Sequence, residues 1–268
     1  MDFKKVLFVS QEVSPYLPDT PNALMGRHIP QGIMERGVEV RTFMPKYGMI
    51  NERRNQLHEV IRLSGMNLII NDTDHPLIIK VATLQPVRMQ VYFIYNEDYF
   101  AHSLTKEFET DTSPEDNDER TIFYVRGVIE TVRKLRWDPA IIHCGGWISA
   151  LAPAYMRKIY SDDPSFANAR IVYSLYDNEM THPLPATLGT KVLQDGMPPE
   201  VLGDLVDREM TTADLDRLAI ENCDAIMQCS AAANPASVEL ARASGKPFLP
   251  FEEGTDLADR CYEFYKSL

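Results

Sequence analysis

Lys5-Val6-Leu7-Phe8-Val9-Ser10-Gln11-Glu12-Val13-Ser14-Pro15-Tyr16 sets four consecutive apolar residues, Val6 to Val9, between Lys5 and Ser10. Such a run suits a strand in a parallel sheet covered on both faces. The loop after it is rich in proline (Pro15, Pro18, Pro21), and residues from about 24 to 36 read as a helix. Asn22 is its expected cap, Gly37 its stop, and Pro30 should kink or shorten it. Val38 to Phe43 follows as a short alternating strand, so strand, helix and strand open the chain, as in an α/β fold.

The same reading extends onward. From about residue 57 to 95 the runs Glu59 to Leu63, Leu68 to Ile70, Leu77 to Ala82 and Gln90 to Ile94 alternate with turn formers, which predicts an antiparallel β-rich insertion on the sheet edge. Glu109 to Arg120 is acidic and polar and reads as a solvated loop. Ile122, Val125, Ile129, Val132 and Leu135 recur at steps of three and four, the stripe of a helix that ends at Trp137-Asp138-Pro139. Ala140 to His143 is a second buried strand, and Gly145-Gly146 leads into a helix carrying Trp147, Leu151, Tyr155 and Ile159. Ile171 to Leu175 is the next strand, with Tyr176-Asp177-Asn178-Glu179 at its carboxyl end, where open α/β sheets place ligands. After a weakly patterned stretch, Thr211-x-x-Asp214 is a capping box, Ala225 to Met227 a last strand, and Asn234-Pro235 the start of a helix closed by Gly245. The final segment puts Leu257, Cys261, Phe264 and Leu268 on one face. The expected fold is therefore a Rossmann-like, doubly wound, mostly parallel α/β sheet with a β-rich insertion, residues 1–245, followed by a helical tail, 246–268, packing on the same domain.

Composition narrows the function. The chain has 268 residues, 27 Lys plus Arg against 39 Asp plus Glu, and a net charge of −12. An acidic chain without a Lys/Arg run has no electrostatic footprint for nucleic acid or an anionic membrane. No apolar run approaches the roughly 18 to 20 residues of a membrane helix. The apolar stretch after Lys4 and Lys5 is too short for a secretory segment, so a cytoplasmic location is expected and the Asn71-Asp72-Thr73 sequon is read as coincidental. Cys144, Cys223, Cys229 and Cys261 show no metal-site spacing and are expected to be reduced core thiols; no metal site is expected. The first loop lacks G-x-G-x-x-G and G-x-x-x-x-G-K-[ST], which disfavours dinucleotide and P-loop enzymes.

Several segments together resemble the N-terminal lobe of bacterial glycogen and starch synthases. They are residues 5 to 16, Arg36-Gly37-Val38-Glu39-Val40-Arg41, Met44-Pro45-Lys46-Tyr47, Tyr92-Phe93-Ile94 with Tyr99-Phe100, Asp118-Glu119-Arg120, Trp137 to His143 with Trp147, and Ala219 to Ala225. The resemblance implies one lobe of the two-lobed GT-B fold, a donor such as ADP-glucose held mainly by the other lobe, and an α-glucan or malto-oligosaccharide acceptor. It runs from residue 4 to about 230, and the ending looks like that of a short, single-lobe subgroup.

The family's phosphate-loop motif, Lys-x-Gly-Gly-Leu-Ala-Asp, does not survive. Laid between Pro15 and Pro30, its lysine falls on Pro18, its glycines on Thr20 and Pro21, and its aspartate on Leu24. Proline removes an amide donor and leucine accepts nothing, the opposite of what phosphate and sugar binding require. The family's His-x-His-Asp-Trp reads His143-Cys144-Gly145-Gly146-Trp147, and its Thr-Ile-His-Asn reads Ser174-Leu175-Tyr176-Asp177, or keeps Asn178 with a one-residue slip. A retaining transferase stabilises an oxocarbenium-like transition state and a departing diphosphate with placed dipoles, and these are the groups replaced. The expectation is a glycogen or starch synthase-like protein without independent glucosyl transfer, no catalytic residues, and no cofactor beyond ADP-glucose in the active alternative. Glu12, His143, Trp147, Asp177 and Asn178 are the candidate sugar-binding residues. Glucan-binding or regulatory roles, a synthase working with a separate second lobe, and a protein-interaction scaffold remain open.

Overall fold

In a computed structural model, residues 3–101, 114–177 and 179–268 are described. Chain order runs β1 (Lys5–Ser10), α1 (Pro21–Glu35), β2 (Glu39–Pro45), β3 (His58–Glu59), β4 (Met66–Ile70), β5 (Thr73–Leu84), β6 (Met89–Tyr95), α2 (Glu97–Phe100) and α3 (Asn117–Leu135). It continues with β7 (Ile141–Gly145), α4 (Ala152–Lys158), β8 (Arg170–Leu175), α5 (Thr187–Gln194), α6 (Pro199–Leu202), α7 (Thr212–Asn222), β9 (Ala225–Gln228), α8 (Pro235–Ala243), β10 (Phe248–Leu249) and α9 (Leu257–Ser267).

The sheet is ordered β10-β9-β8-β7-β1-β2-β6-β5-β3, with β4 paired to β5. β1 is its centre. Its residues Val6 to Val9 are all buried, flanked in parallel by β2 on one side and by β7 on the other, with Phe8 opposite His143. The chain leaves β1 in one direction to β2 and β6 and later returns on the other side to β7 and β8. This reversal leaves a crevice at the carboxyl ends of β1 and β7, where doubly wound sheets bind ligands.

The insertion is antiparallel through β3, β4 and β5 only. β6 pairs with β2 in parallel and belongs to the main sheet. Its near-continuous burial fits that place, but a run of apolar residues does not reveal strand direction. Asn71 and Asp72, both at positive φ, form the two-residue turn between β4 and β5, so the sequon sits at a hairpin tip.

Three local expectations change. Thr20, not Asn22, caps α1, because Pro21 supplies the preset φ of the first helical position and the Thr20 hydroxyl accepts from the Ala23 N–H. The helix continues through Pro30 to Glu35. Residues 109 to 113 of the expected acidic loop lie outside the described residues, but residues 117 to 120 are the largely buried first turn of α3. The capping box at Thr211 and Asp214 forms as expected, and all four cysteines are free and buried.

The weakly patterned stretch is held by polar groups. Lys191 of α5 reaches Asp118 at 2.6 Å and Glu119 at 2.8 Å on α3, and Thr187 Oγ1 donates to Asp118 at 2.7 Å. Asp195, just past α5, accepts from Arg126 at 2.8 Å and from the Tyr155 hydroxyl at 2.6 Å. α9 lies on α1: the Ala258 side chain meets the surface of Gly32, while Arg36 pairs with Asp259 and His28 with Asp256. Among the described residues, no helix is long and apolar enough to cross a membrane.

Candidate functional site

At the crevice, the residues that would meet a ligand are engaged with one another. The N-terminus of α1 points there, but Pro21 has no N–H, the Ala23 N–H is taken by Thr20 Oγ1, and the Leu24 N–H by the Thr20 carbonyl at 3.0 Å. A helix start that is capped from within offers few free amides to a phosphate. Glu12 is 5% exposed; its carboxylate accepts from Thr20 Oγ1 at 2.6 Å and from Gln11 Nε2 at 3.2 Å. Burial lifts its pKa above the usual carboxylate range, against the pull of those two bonds. α1 approaches this loop so closely that a β-carbon at Gly26 would fall 2.0 Å from the Glu12 carbonyl oxygen. Glu12 therefore ties the loop to α1.

Two glycines end β7. A β-carbon on Gly145 would come within 2.6 Å of Tyr176 Cε2, and one on Gly146, at φ +90°, within 2.5 Å of Gln11 Cβ. The aromatic ring and the amide side chain thus occupy the space that larger residues at 145 and 146 would need. What remains is a cavity of about 20 Å³, walled by Gln11, Glu12, Asn22, His143 and Tyr176 among others. That is room for about one water molecule.

His143 lies beneath this cavity, 3% exposed. Its Nδ1 contacts the Tyr265 hydroxyl of α9 and its Nε2 the Ser174 hydroxyl of β8, while Cys229 Sγ donates to Ser174 Oγ at 3.3 Å. Burial pulls the imidazole down to about 3, so at neutral pH it is uncharged. The same burial lifts the Cys229 thiol to about 11, which leaves it unreactive.

The other expected site residues lie elsewhere. Trp147, in a 3-10 turn after β7, is 2% exposed and presents no open ring face. Asp177 is exposed on the rim, where its carbonyl accepts from Asn22 Nδ2 at 3.2 Å. Asn178 lies outside the described residues. Glu179 is bonded by Asn234, the cap of α8. Glu12 and His143 share the small cavity; Trp147 and Asp177 do not line it. Gln11, Tyr176, Ser174 and Tyr265 complete the arrangement and were not singled out by sequence. Tyr265 lies four residues after Cys261 on the α9 stripe, a spacing that could have found it in place of Phe264.

The sequence model of the family described as the starch synthase catalytic domain matches residues 5–234. A glycogen synthase from Chlorobium luteolum is 35% identical over 227 residues, covering 84% of this chain and 45% of the relative. One from Chlorobium limicola is 37% identical over 198 residues, 74% of this chain and 40% of the relative. The chain spans about half the length of the curated relatives it matches. Among solved structures, the catalytic domain of starch synthase IV from Arabidopsis thaliana, bound to ADP and acarbose, superposes with a TM-score of 0.73 at 16% identity, covering 95% of this chain and 52% of that one. At that identity the likeness concerns the fold.

Proposed function

This chain belongs to the starch synthase catalytic domain family, and from that premise we propose that it is a member in which the crevice has been turned into packing. On this reading it carries out no glucosyl transfer of its own and acts in α-glucan metabolism through its surface, as a glucan-binding or regulatory relative.

The observation that supports this most is the paired filling of the β7 end, Tyr176 over Gly145 and Gln11 over Gly146. Replacement of motif residues alone would leave an empty, polar crevice that another chain could complete. Here the vacated space is occupied, and the residual cavity of about 20 Å³ cannot take a hexose. The structurally similar starch synthase binds ADP and acarbose; for either to enter this crevice, the Tyr176 ring, whose hydroxyl bonds to Ser174 and Cys229, would have to leave. The capped start of α1 and the neutral, doubly bonded His143 add to the case, since the first offers few free amides and the second no charge to a diphosphate.

The test is glucose incorporation into glycogen by the purified chain, with ADP-glucose and with UDP-glucose. We expect incorporation no higher than the blank for both donors. Turnover with either donor would overturn the reading and favour a synthase, whether alone or with a second lobe supplied separately.

A further inference from the structure

Away from the crevice, a buried histidine joins the β4–β5 hairpin to α2. His75 of β5 is 7% exposed, and its Nε2 stands 2.9 Å from the Tyr99 hydroxyl of α2. That hydroxyl reaches Glu119 Oε2 of α3 at 2.8 Å, and Glu119 Oε1 lies 2.8 Å from the Lys191 ammonium of α5. The row of polar groups thus runs from the insertion through α2 and α3 to α5.

Hydrogen-bond chemistry fixes where the protons sit. Burial pushes the Glu119 carboxyl up, but the Lys191 ammonium and the Tyr99 hydroxyl outweigh it and hold the group below the usual carboxylate range, so Glu119 is an anion that can only accept. Tyr99 keeps its proton, because burial and then Glu119 lift it well above the ordinary phenol value. Its single O–H is spent on Glu119, so the contact with His75 requires the ring to donate from Nε2. A neutral His75 then has no hydrogen on Nδ1. That atom is buried and, among the described residues, has no hydrogen-bond partner. The Asp98 carboxylate of α2 stands 3.7 Å from it, within reach of an ion pair but with nothing to give a bare nitrogen.

The charges around the ring favour a second proton. Glu97 and Asp98 come from α2, Asp118 and Glu119 from α3 and Asp74 from β5 itself, while β4 brings no charged residue. Lys191 is the ammonium set against Asp118 and Glu119, and Asp116 is matched by Arg120. We propose that His75 is a proton-operated clasp: uptake of a proton from solvent at Nδ1 turns a bare acceptor into a donor, pairs the ring with Asp98 and fastens α2 to β5. The clasp stands apart from the crevice and does not depend on how the crevice is read.

Nitrogen-15 spectra of the histidine rings in the full chain test it, the His75 signals being those missing from His75→Gln. At pH 8 the hydrogen should sit on Nε2. On acidification Nδ1 should gain one while the fold persists, and in Asp98→Asn that step should move to lower pH by about half a unit. The Asp98 side chain is 71% exposed, so this variant spares the core. The pair exists only while His75 is protonated, so its contribution to stability is present in acid and lost as pH rises. The gap in urea midpoint between the parent and Asp98→Asn should accordingly widen from about pH 8 to about pH 5, the range in which histidine changes charge. A hydrogen on Nδ1 at pH 8, a ring that stays neutral until the chain unfolds in acid, or a proton uptake unmoved in Asp98→Asn overturns the proposal.

Discussion

Tyr176 lies over Gly145 so closely that a β-carbon on residue 145 would come within 2.6 Å of the ring edge. The two positions come from different strand ends, β7 and β8, and are thirty-one residues apart in sequence. Their sizes are complementary: the smallest residue stands where a phenol ring needs room. This relation separates a crevice that has lost its polar groups from one that has been filled.

The pair should behave as a unit in stability measurements. Gly145→Ala is expected to destabilise the chain by about 1–3 kcal/mol through overpacking, and Tyr176→Ala by about 3–5 kcal/mol through cavity formation. In the double variant the clash is gone, so the two costs should fall short of additive by about 1 kcal/mol or more. Urea unfolding of the four proteins measures the coupling; strictly additive costs would show that the ring and the glycine do not share the space.

His143 gives a pH signature. Its folded value, about 3, lies below the ordinary histidine value near 6.5, so the unfolded chain binds the extra proton. The contribution is fully present above pH 6.5 and is lost as pH falls toward 3, with a slope of up to about 1.4 kcal/mol per pH unit. His143→Gln should flatten that part of the stability profile. An unchanged slope in the variant would place the acid sensitivity in other groups.

Asp216 should act with the opposite sign. It is 4% exposed, accepts from the Tyr173 hydroxyl at 2.8 Å and from Ser237 Oγ at 2.7 Å, and burial lifts its carboxyl to about 6. With the folded value raised above the unfolded 3.8, its protonated form favours the fold, and that contribution is lost as pH rises from about 4 to 6. Asp216→Asn should therefore match the parent near pH 4 and exceed it by roughly 2 kcal/mol at pH 8. Equal unfolding midpoints at pH 8 would contradict the assignment.

The clamp between α3 and α5 is the next expectation. Asp118 has no exposed side-chain surface, and Lys191 is its ammonium partner. Lys191→Met leaves a buried carboxylate with only the Thr187 hydroxyl and the Glu119 amide and is expected to cost about 3–5 kcal/mol, whereas Lys191→Met together with Asp118→Asn should recover much of that loss. Thermal unfolding of both variants checks it; a single variant no less stable than the double would contradict the clamp.

Much of this architecture was readable in the sequence because it rests on local patterns. The run Val6 to Val9, the stripe from Ile122 to Leu135 and the box at Thr211 and Asp214 each report their own structure through burial, helical period or capping chemistry. The direction of β6 was not readable, since parallel and antiparallel neighbours bury the same side chains. The place of α5 was hidden for a different reason: it is fastened by Thr187, Lys191 and Asp195, polar residues that look like a solvated face until Asp118 and Arg126 are brought against them.

At the candidate site, the sequence showed which groups had been replaced but not what had taken their space. Gly145 and Gly146 appear in sequence as missing side chains. Only the fold shows that Tyr176 and Gln11, one from the end of β8 and one from the loop after β1, stand where those side chains would be. Tyr265 was likewise invisible as a partner of His143, because the contact spans 122 residues.

Calorimetric titration of the purified chain with ADP-glucose shows whether a nucleotide sugar enters the crevice. The filled crevice predicts no saturable heat up to millimolar donor. Saturable binding below that range, abolished by substitutions at Gln11 or Gly146, would show that the crevice opens to its ligand and would contradict the account.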